Sequence, residues 1–339
     1  MQQDQFGRMP GGLPVERVTL AGGGLRASVL TYGAVLQDLR LDGHAPSLVL
    51  GFAEFSDYLT HSAYFGAIVG RCANRIGNAR FELDGRTCHI DRNQPGGHHL
   101  HGGRLGMGQR LWSVIAKDAA SVTLAITLED GDMGYPGKMR ATVRYALLED
   151  ATLDIRMAAT SDRPTLCNLA HHSYFNLSGE ADILGHHLRI AAEYYLPVDS
   201  DLIPTGTVAP VGGTGFDFRQ GGRLGDHCKR VALDNNLCLS KTRQSLRDVA
   251  ELSAGGIAMT VRTTEPGMQV FDGGALPVSA FGSDGRQFGA YCGIALEPQL
   301  WPDAIHHPDW QQPVLRPGET YRQHTQFAFT RSASRANRP

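Results

Sequence analysis

A period of two runs through most of this chain. Stretches such as LRASVLTYGAVLQDLRL, SVTLAITLED, MRATVRYALLED, ATLDIRMAAT, HHLRIAAEYYLPV and YCGIALEP largely alternate apolar with polar residues. That alternation suits half-buried strands, because successive strand side chains point to opposite faces. DG, GG and PG turns separate the runs, so most of the 41 glycines read as turn and bulge residues. GGRLGMG is followed by no helical pattern and makes a poor dinucleotide-binding loop. The best short helical candidate is KTRQSLRDVAELS, residues 241–253. Dense short strands predict an all-β sandwich or barrel. No linker divides residues 1–339, which read as a single domain, and the tail SASRANRP (332–339) reads as disordered.

Two strands carry candidate chemistry. In CNLAHHSYFNL, Cys167, Leu169, His171, Ser173, Phe175 and Leu177 fall on one face. Asn168, Ala170, His172, Tyr174 and Asn176 fall on the other. The period places His172 on the polar face and His171 on the apolar one. In YCGIALEPQLWPDA, Cys292, Ile294 and Leu296 form an apolar face, opposite Gly293, Ala295, Glu297 and Gln299. Pro298 cannot donate to a ladder, so this strand is expected to end near Glu297. A carboxylate beside small residues suits the floor or rim of a pocket. An ion pair or a solvated strand end is the ordinary alternative, and a histidine satisfied within the sheet is the alternative for His172.

The formal charge of −2 gives no electrostatic case for nucleic acid or an anionic membrane. Six cysteines without CxxC spacing suggest neither a zinc knuckle nor a disulfide framework. With no signal-peptide pattern at the N-terminus, a reducing, cytoplasmic setting is expected. The histidine pairs raise a metal site as a rival, with His99-x-His101 as its best strand-face arrangement. No HExxH is present, and no acid follows at cupin-like spacing.

Taken together, the chain resembles the aldose 1-epimerase (galactose mutarotase) family. The likeness rests on FGRMPGGLPVERVTL, YFGAIVGRCANRIGNARFELDG, LHGG, DGDMGYPGKM, NLAHHSYFNLSG, YLPVDSDLIPTG, FDFR, LDNNLCL, EPGMQVF, ALEPQLWPDAIHHPDW and VLRPGETY. These motifs follow the family's order over about residues 6–329. The resemblance implies a large antiparallel β-sandwich with a sugar cleft. It also implies cofactor-free interconversion of the α and β anomers of a free aldose, a small-molecule substrate. It makes Glu297 the catalytic base, His172 the catalytic acid and His101 the second site histidine. Asn74, Arg75, His101, Asp234 and Gln269 become the binders of sugar hydroxyls. Departures from the family pattern are His98, His171 and Met107-Gly108-Gln109. They leave the acid–base pair intact and bear on the rim of the cleft, hence on sugar preference.

Such residue types suit that reaction. Opening a pyranose removes the proton of the anomeric hydroxyl and protonates the ring oxygen; rotation about C1–C2 and reclosure then give the other anomer. One carboxylate and one imidazolium suffice. A planar, donor-rich Arg75 facing the carboxylate of Asp234, with two amides, can hold hydroxyls of either orientation. A sugar-binding module without catalysis would need the hydroxyl binders but not both Glu297 and His172. A hexose-phosphate epimerase would need more cationic groups than Arg75.

Overall fold

The computed structural model describes residues 2–61, 64–276 and 280–331; the tail at 332–339 lies outside them. Among the described residues only two short α-helices occur, Phe55–Thr60 and Leu224–Cys228. None is long and apolar enough to cross a membrane. Apart from short 3-10 turns, the remaining elements are strands, which pair antiparallel within the sheets, as the period of two predicts.

The largest sheet has nine strands, in the order Ser113–Lys117, Ser121–Leu128, Met139–Leu148, Thr152–Ser161, Tyr321–Arg331, Ile257–Thr263, Arg247–Ala254, His187–Ile190 and Gly222–Arg223. A six-stranded sheet runs Tyr174–Phe175, Ile294–Gln299, Gly267–Phe271, Asp234–Cys238, Tyr194–Tyr195 and Ala209–Pro210. A four-stranded sheet at the N-terminal end spans Gln2–Arg8 to Leu36–Leu41. The main core draws Val143, Tyr145, Ile155, Val261 and Phe327 from the nine-stranded sheet and Met268, Val270, Ile294 and Leu296 from the six-stranded one.

That packing sets the orientation of the six-stranded sheet. Ile294 and Leu296 are fully buried in the core, so Ala295, Glu297 and Gln299 must project from the opposite face. A one-residue slip of the strand Ile294–Gln299 would turn Ile294 and Leu296 out of the core and drive the Glu297 carboxylate into hydrocarbon. Losing the two aliphatic side chains from the core costs about 3–6 kcal/mol, and burying the carboxylate adds to it, so the register is firmly specified.

Two local expectations are corrected. Residues 241–253 form no helix: Arg247–Ala254 is a strand, paired with Ile257–Thr263. Its apolar positions Val249, Ala250 and Leu252 enter the core from a sheet that offers edge pairing, and this overrides a weak helical pattern. The strand bearing Glu297 does not stop before Pro298 either. It runs Ile294–Gln299, with Pro298 opposite Met268. The Pro298 carbonyl still accepts a hydrogen bond, from Gln323 Nε2 at 2.6 Å.

A buried arginine fastens the loops to the sheets. Arg71 is 2 % exposed. Its Nη1 donates to the carbonyls of Gly137 (2.7 Å) and Pro136 (3.1 Å), and its Nη2 to those of Glu129 (2.7 Å) and Leu128 (3.3 Å). The segment that continues to Asn74 and Arg75 is thereby tied to the connection between two strands of the nine-stranded sheet. Arg71→Met, which keeps bulk but orphans these carbonyls, should lower unfolding free energy by about 3 kcal/mol or more. Urea denaturation at unchanged m-value is the measurement; a loss below about 1 kcal/mol would contradict the role.

Candidate active site

Three adjacent strands lay a row of polar groups across one face. Asn236 pairs with Gln269, and Gln269 with Glu297, so those three residues lie side by side. Asp234 begins its strand one row away, opposite Phe271. Gln269 Nε2 donates to Asp234 Oδ1 at 2.6 Å, and Arg75 Nη2 lies 3.5 Å from Asp234 Oδ2.

His172 reaches this face from the short strand Ala170–His172, which pairs with Ala67–Val69. Its Nε2 stands 3.5 Å from Glu297 Oε1. His171 points the other way. Its ring packs against Tyr145 and Phe327 of the nine-stranded sheet, and its Nε2 is 3.0 Å from the Ser173 hydroxyl. The two histidines thus divide between site and core, as the alternation predicts.

Asn74 and His101 are built as a reciprocal pair. His101 N–H donates to the Asn74 carbonyl, and Asn74 N–H donates to His101 Nδ1, both at 3.1 Å. Both residues have positive φ, +62° and +52°. The LHGG motif makes the turn possible: a Cβ on Gly102, at φ +89°, would sit 1.8 Å from the Gly70 carbonyl oxygen. Because Nδ1 accepts a backbone N–H, neutral His101 must carry its proton on Nε2, as a donor.

Burial dominates the electrostatics. Glu297 is 2 % and His172 4 % exposed. Desolvation, then the nearby Asp234 charge, raises the Glu297 carboxyl well above its ordinary range, while Arg75 pulls it back down. Desolvation lowers His172 to about 4. His101 is lowered too, by burial first and then by the charges of His172 and Arg75. Glu297 Oε2 and His172 Nδ1 are buried without a protein partner among the described residues. The pair therefore favours a state holding one shared proton, written either as carboxylic acid with neutral imidazole or as carboxylate with imidazolium.

Ligand atoms of His101, His172 and Glu297 lie within 4.8 Å of one another, a spacing compatible with a metal ion. The chemistry of the donors does not fit. A His101 Nε2 that carries the proton has no lone pair to give, and freeing it would break the bond from Asn74. The His99-x-His101 alternative also fails. His99 Nδ1 is 2.6 Å from the Asp91 carbonyl and Nε2 is 2.7 Å from the Tyr135 hydroxyl, so both nitrogens are engaged away from the site.

All seven residues expected from the sequence converge: Asn74, Arg75, His101, His172, Asp234, Gln269 and Glu297. The departures scatter. His98 Nδ1 accepts from Asn78 N–H at 2.9 Å, and His98 Nε2 faces Asp201 at 3.4 Å. Met107 is core. Gly108 and Gln109 line a cavity of about 310 Å³ that Tyr64 also borders. Tyr64 itself escaped sequence reasoning. Its ring lies 4.7 Å from that of His101 and 5.8 Å from that of His172. It opens the YFGAIVGRCANRI motif, which was the available signal. Trp301 belongs to the core: it packs with Leu196 and Cys238, and its Nε1 donates to the Pro266 carbonyl.

A family model described as aldose 1-epimerase matches residues 16–328. A galactose mutarotase of Rattus norvegicus is 39% identical, with 96% of this chain and 97% of the relative aligned. An aldose 1-epimerase of Escherichia coli is 35% identical, over 94% and 96% of the two chains. Among solved structures, an aldose epimerase homologue from C. elegans superposes with a TM-score of 0.87 at 32% identity, covering 94% of this chain and 99% of that one.

The tautomer of His101 carries a test. Calorimetric titration with Zn²⁺ should reveal no site that His101→Asn removes; a micromolar site lost in that variant would show that the imidazole can turn to a metal.

Proposed function

The chain belongs to the aldose 1-epimerase family, and on that premise we propose that Glu297 and His172 are its acid–base pair. The protein is an isomerase that interconverts the α and β anomers of free aldoses such as galactose or glucose. The observation that carries the assignment of roles is the 3.5 Å approach of His172 Nε2 to Glu297 Oε1 in a buried site.

In the productive form the pair is carboxylate and imidazolium. Glu297 takes the proton of the anomeric hydroxyl while His172 gives its proton to the ring oxygen, and the C1–O5 bond breaks. Both charges vanish as the aldehyde forms, a change that low polarity favours. A hydrogen bond from the anomeric hydroxyl stabilises the Glu297 carboxylate beforehand, together with Arg75. After rotation about C1–C2, the neutral imidazole takes the proton from O5 and the carboxylic acid gives its own to O1. His101 donates from Nε2 to a sugar hydroxyl. Arg75, Asp234, Asn74 and Gln269 hold the remaining hydroxyls, with Asp234 accepting and Arg75 donating.

Because Arg75 already faces Asp234, that carboxylate would repel a phosphate dianion. This supports free sugar over a hexose phosphate. The joint presence of acid and base supports catalysis over sugar binding alone. A hydrophobic cluster that draws on residues from Val18 to Phe329 supports a single domain over 1–339. Six free thiols, four of them buried, support a cytoplasmic setting.

Glu297→Gln and His172→Asn should each lower kcat by ~10²-fold or more, and the double variant by far less than the product. His171→Asn should cost stability, through lost packing on Tyr145 and Phe327, yet keep kcat within a few-fold. Polarimetry of freshly dissolved α-glucose on folded variants decides; near-normal kcat in Glu297→Gln would remove the base. The wild-type profile of kcat/KM should hold through neutral pH and fall near pH 4, where His172 takes a second proton and the pair loses its base. It should fall again on the alkaline side, when the pair gives up its shared proton at a pH above the ordinary carboxylate range. An acid limb at pH 6–7, the range of an unperturbed histidine, would contradict the shared-proton state.

A further inference from the structure

The outer face of the nine-stranded sheet carries a concentration of positive charge that the reaction does not use. A cavity of about 470 Å³ opens there, within the size range of small-molecule sites. Its walls include four arginines, Arg144, Arg156, Arg243 and Arg322, together with His324. Among the described residues no aspartate or glutamate lines it. On the inner face the same strands give Val143, Ile155, Met157 and Tyr321 to the core, which lies between this cavity and the acid–base pair.

Strand pairing brings the charges together. Arg144 lies directly opposite Arg156, and Arg156 directly opposite His324. Arg322 stands one row away, opposite Ala158. Like charges facing each other across a ladder destabilise a sheet unless anions offset them. The protein supplies only part of that compensation. Buried Asp154 accepts from Arg156 Nε at 2.9 Å and also meets His324. Buried Glu265 accepts from Arg243 Nε at 2.8 Å, and the Arg243 guanidinium lies over the ring of Tyr321. The guanidinium groups of Arg144 and Arg322 make no hydrogen bond or ion pair among the described residues. The charge of Arg144 acts on the exposed Asp118 without pairing with it. Arg156 uses Nε alone, which leaves both of its Nη groups without a protein acceptor among those residues.

Two uncompensated cations and a set of free guanidinium forks match the charge and shape of phosphate oxygens. The row from Arg144 through Arg156 to His324 crosses three strands about 4.8 Å apart, roughly 10 Å in all. A single phosphate group is small against that length, whereas two linked phosphates span more of it. We propose that this cavity is a second ligand site, separate from the acid–base site, that binds a small molecule bearing a diphosphate or longer phosphate chain, with Arg144, Arg156 and Arg322 as the oxyanion donors.

Calorimetric titration of the full chain with pyrophosphate, in metal-free buffer at low ionic strength, should show one site of micromolar affinity that added salt weakens. ADP, which carries the same group, should bind at least as tightly, and glucose 6-phosphate, with one phosphate, more weakly. Arg144→Gln and Arg322→Gln should each raise Kd for pyrophosphate about 10-fold or more, the effect of losing a charge-assisted hydrogen bond. Neither residue touches the acid–base site, so kcat for mutarotation of α-glucose should stay unchanged in both variants, which also shows that they fold. Saturating galactose should leave the titration as it is. Absence of pyrophosphate binding at millimolar concentration would overturn the proposal, as would an affinity indifferent to both substitutions. Displacement of pyrophosphate by galactose would place the anion in the acid–base site instead. Equal affinity for succinate would reduce the cavity to unspecific attraction of dianions, and much tighter binding of a short RNA would give the surface a different partner; either result also overturns the proposal.

Discussion

The guanidinium of Arg71 holds together the part of the molecule on which half of the site hangs. It is buried, and its donors go chiefly to main-chain carbonyls 57 to 66 residues away. Carbonyl dipoles can satisfy a cation without the conformational latitude of a surface ion pair, and these lie in or at the edge of the connection between Ser121–Leu128 and Met139–Leu148. From Arg71 the chain has only three residues to travel to Asn74, which locks His101 in a two-way exchange of hydrogen bonds. The position of the histidine and its tautomer therefore descend from a contact that touches no substrate.

The other half of the site depends on hydrophobic burial rather than on a polar anchor. Met268, Val270, Ile294 and Leu296 are drawn to the nine-stranded sheet, and alternation then delivers Gln269 and Glu297 to the opposite face. The same rule sends His171 to the core and His172 to the site. Core and site are two faces of one sheet, so the force that stabilises the fold also orients the reacting groups. That force also buries them, moving the proton affinities of Glu297 and His172 in opposite directions.

Much of this was legible in the sequence because a period of two is a local property. Alternation alone separated His171 from His172 and set Glu297 among small residues, and the family resemblance brought in the remaining site residues. Features that depend on distant partners were not legible. Arg71 looks like any arginine in a turn until the carbonyls of residues 128–137 close around it. Tyr64 becomes part of the site only when the Ala67–Val69 strand pairs with Ala170–His172. The expected helix at 241–253 failed because propensity is weak beside an available sheet edge. The strand expected to end near Glu297 runs two residues further, because Gly267 and Met268 of the neighbouring strand continue the pairing past Pro298.

The near-complete enclosure of Glu297 and His172 has a consequence for turnover. Each cycle begins and ends with the same single proton on the pair: the one taken from O1 is matched by the one given to O5, and both return when the ring recloses. Nothing has to be fetched from or released to bulk solvent before the next sugar enters. For an enzyme that consumes or produces a proton, such isolation would be a bottleneck. Here the traffic into and out of the site consists of sugar alone, and the machinery is already reset when the product leaves.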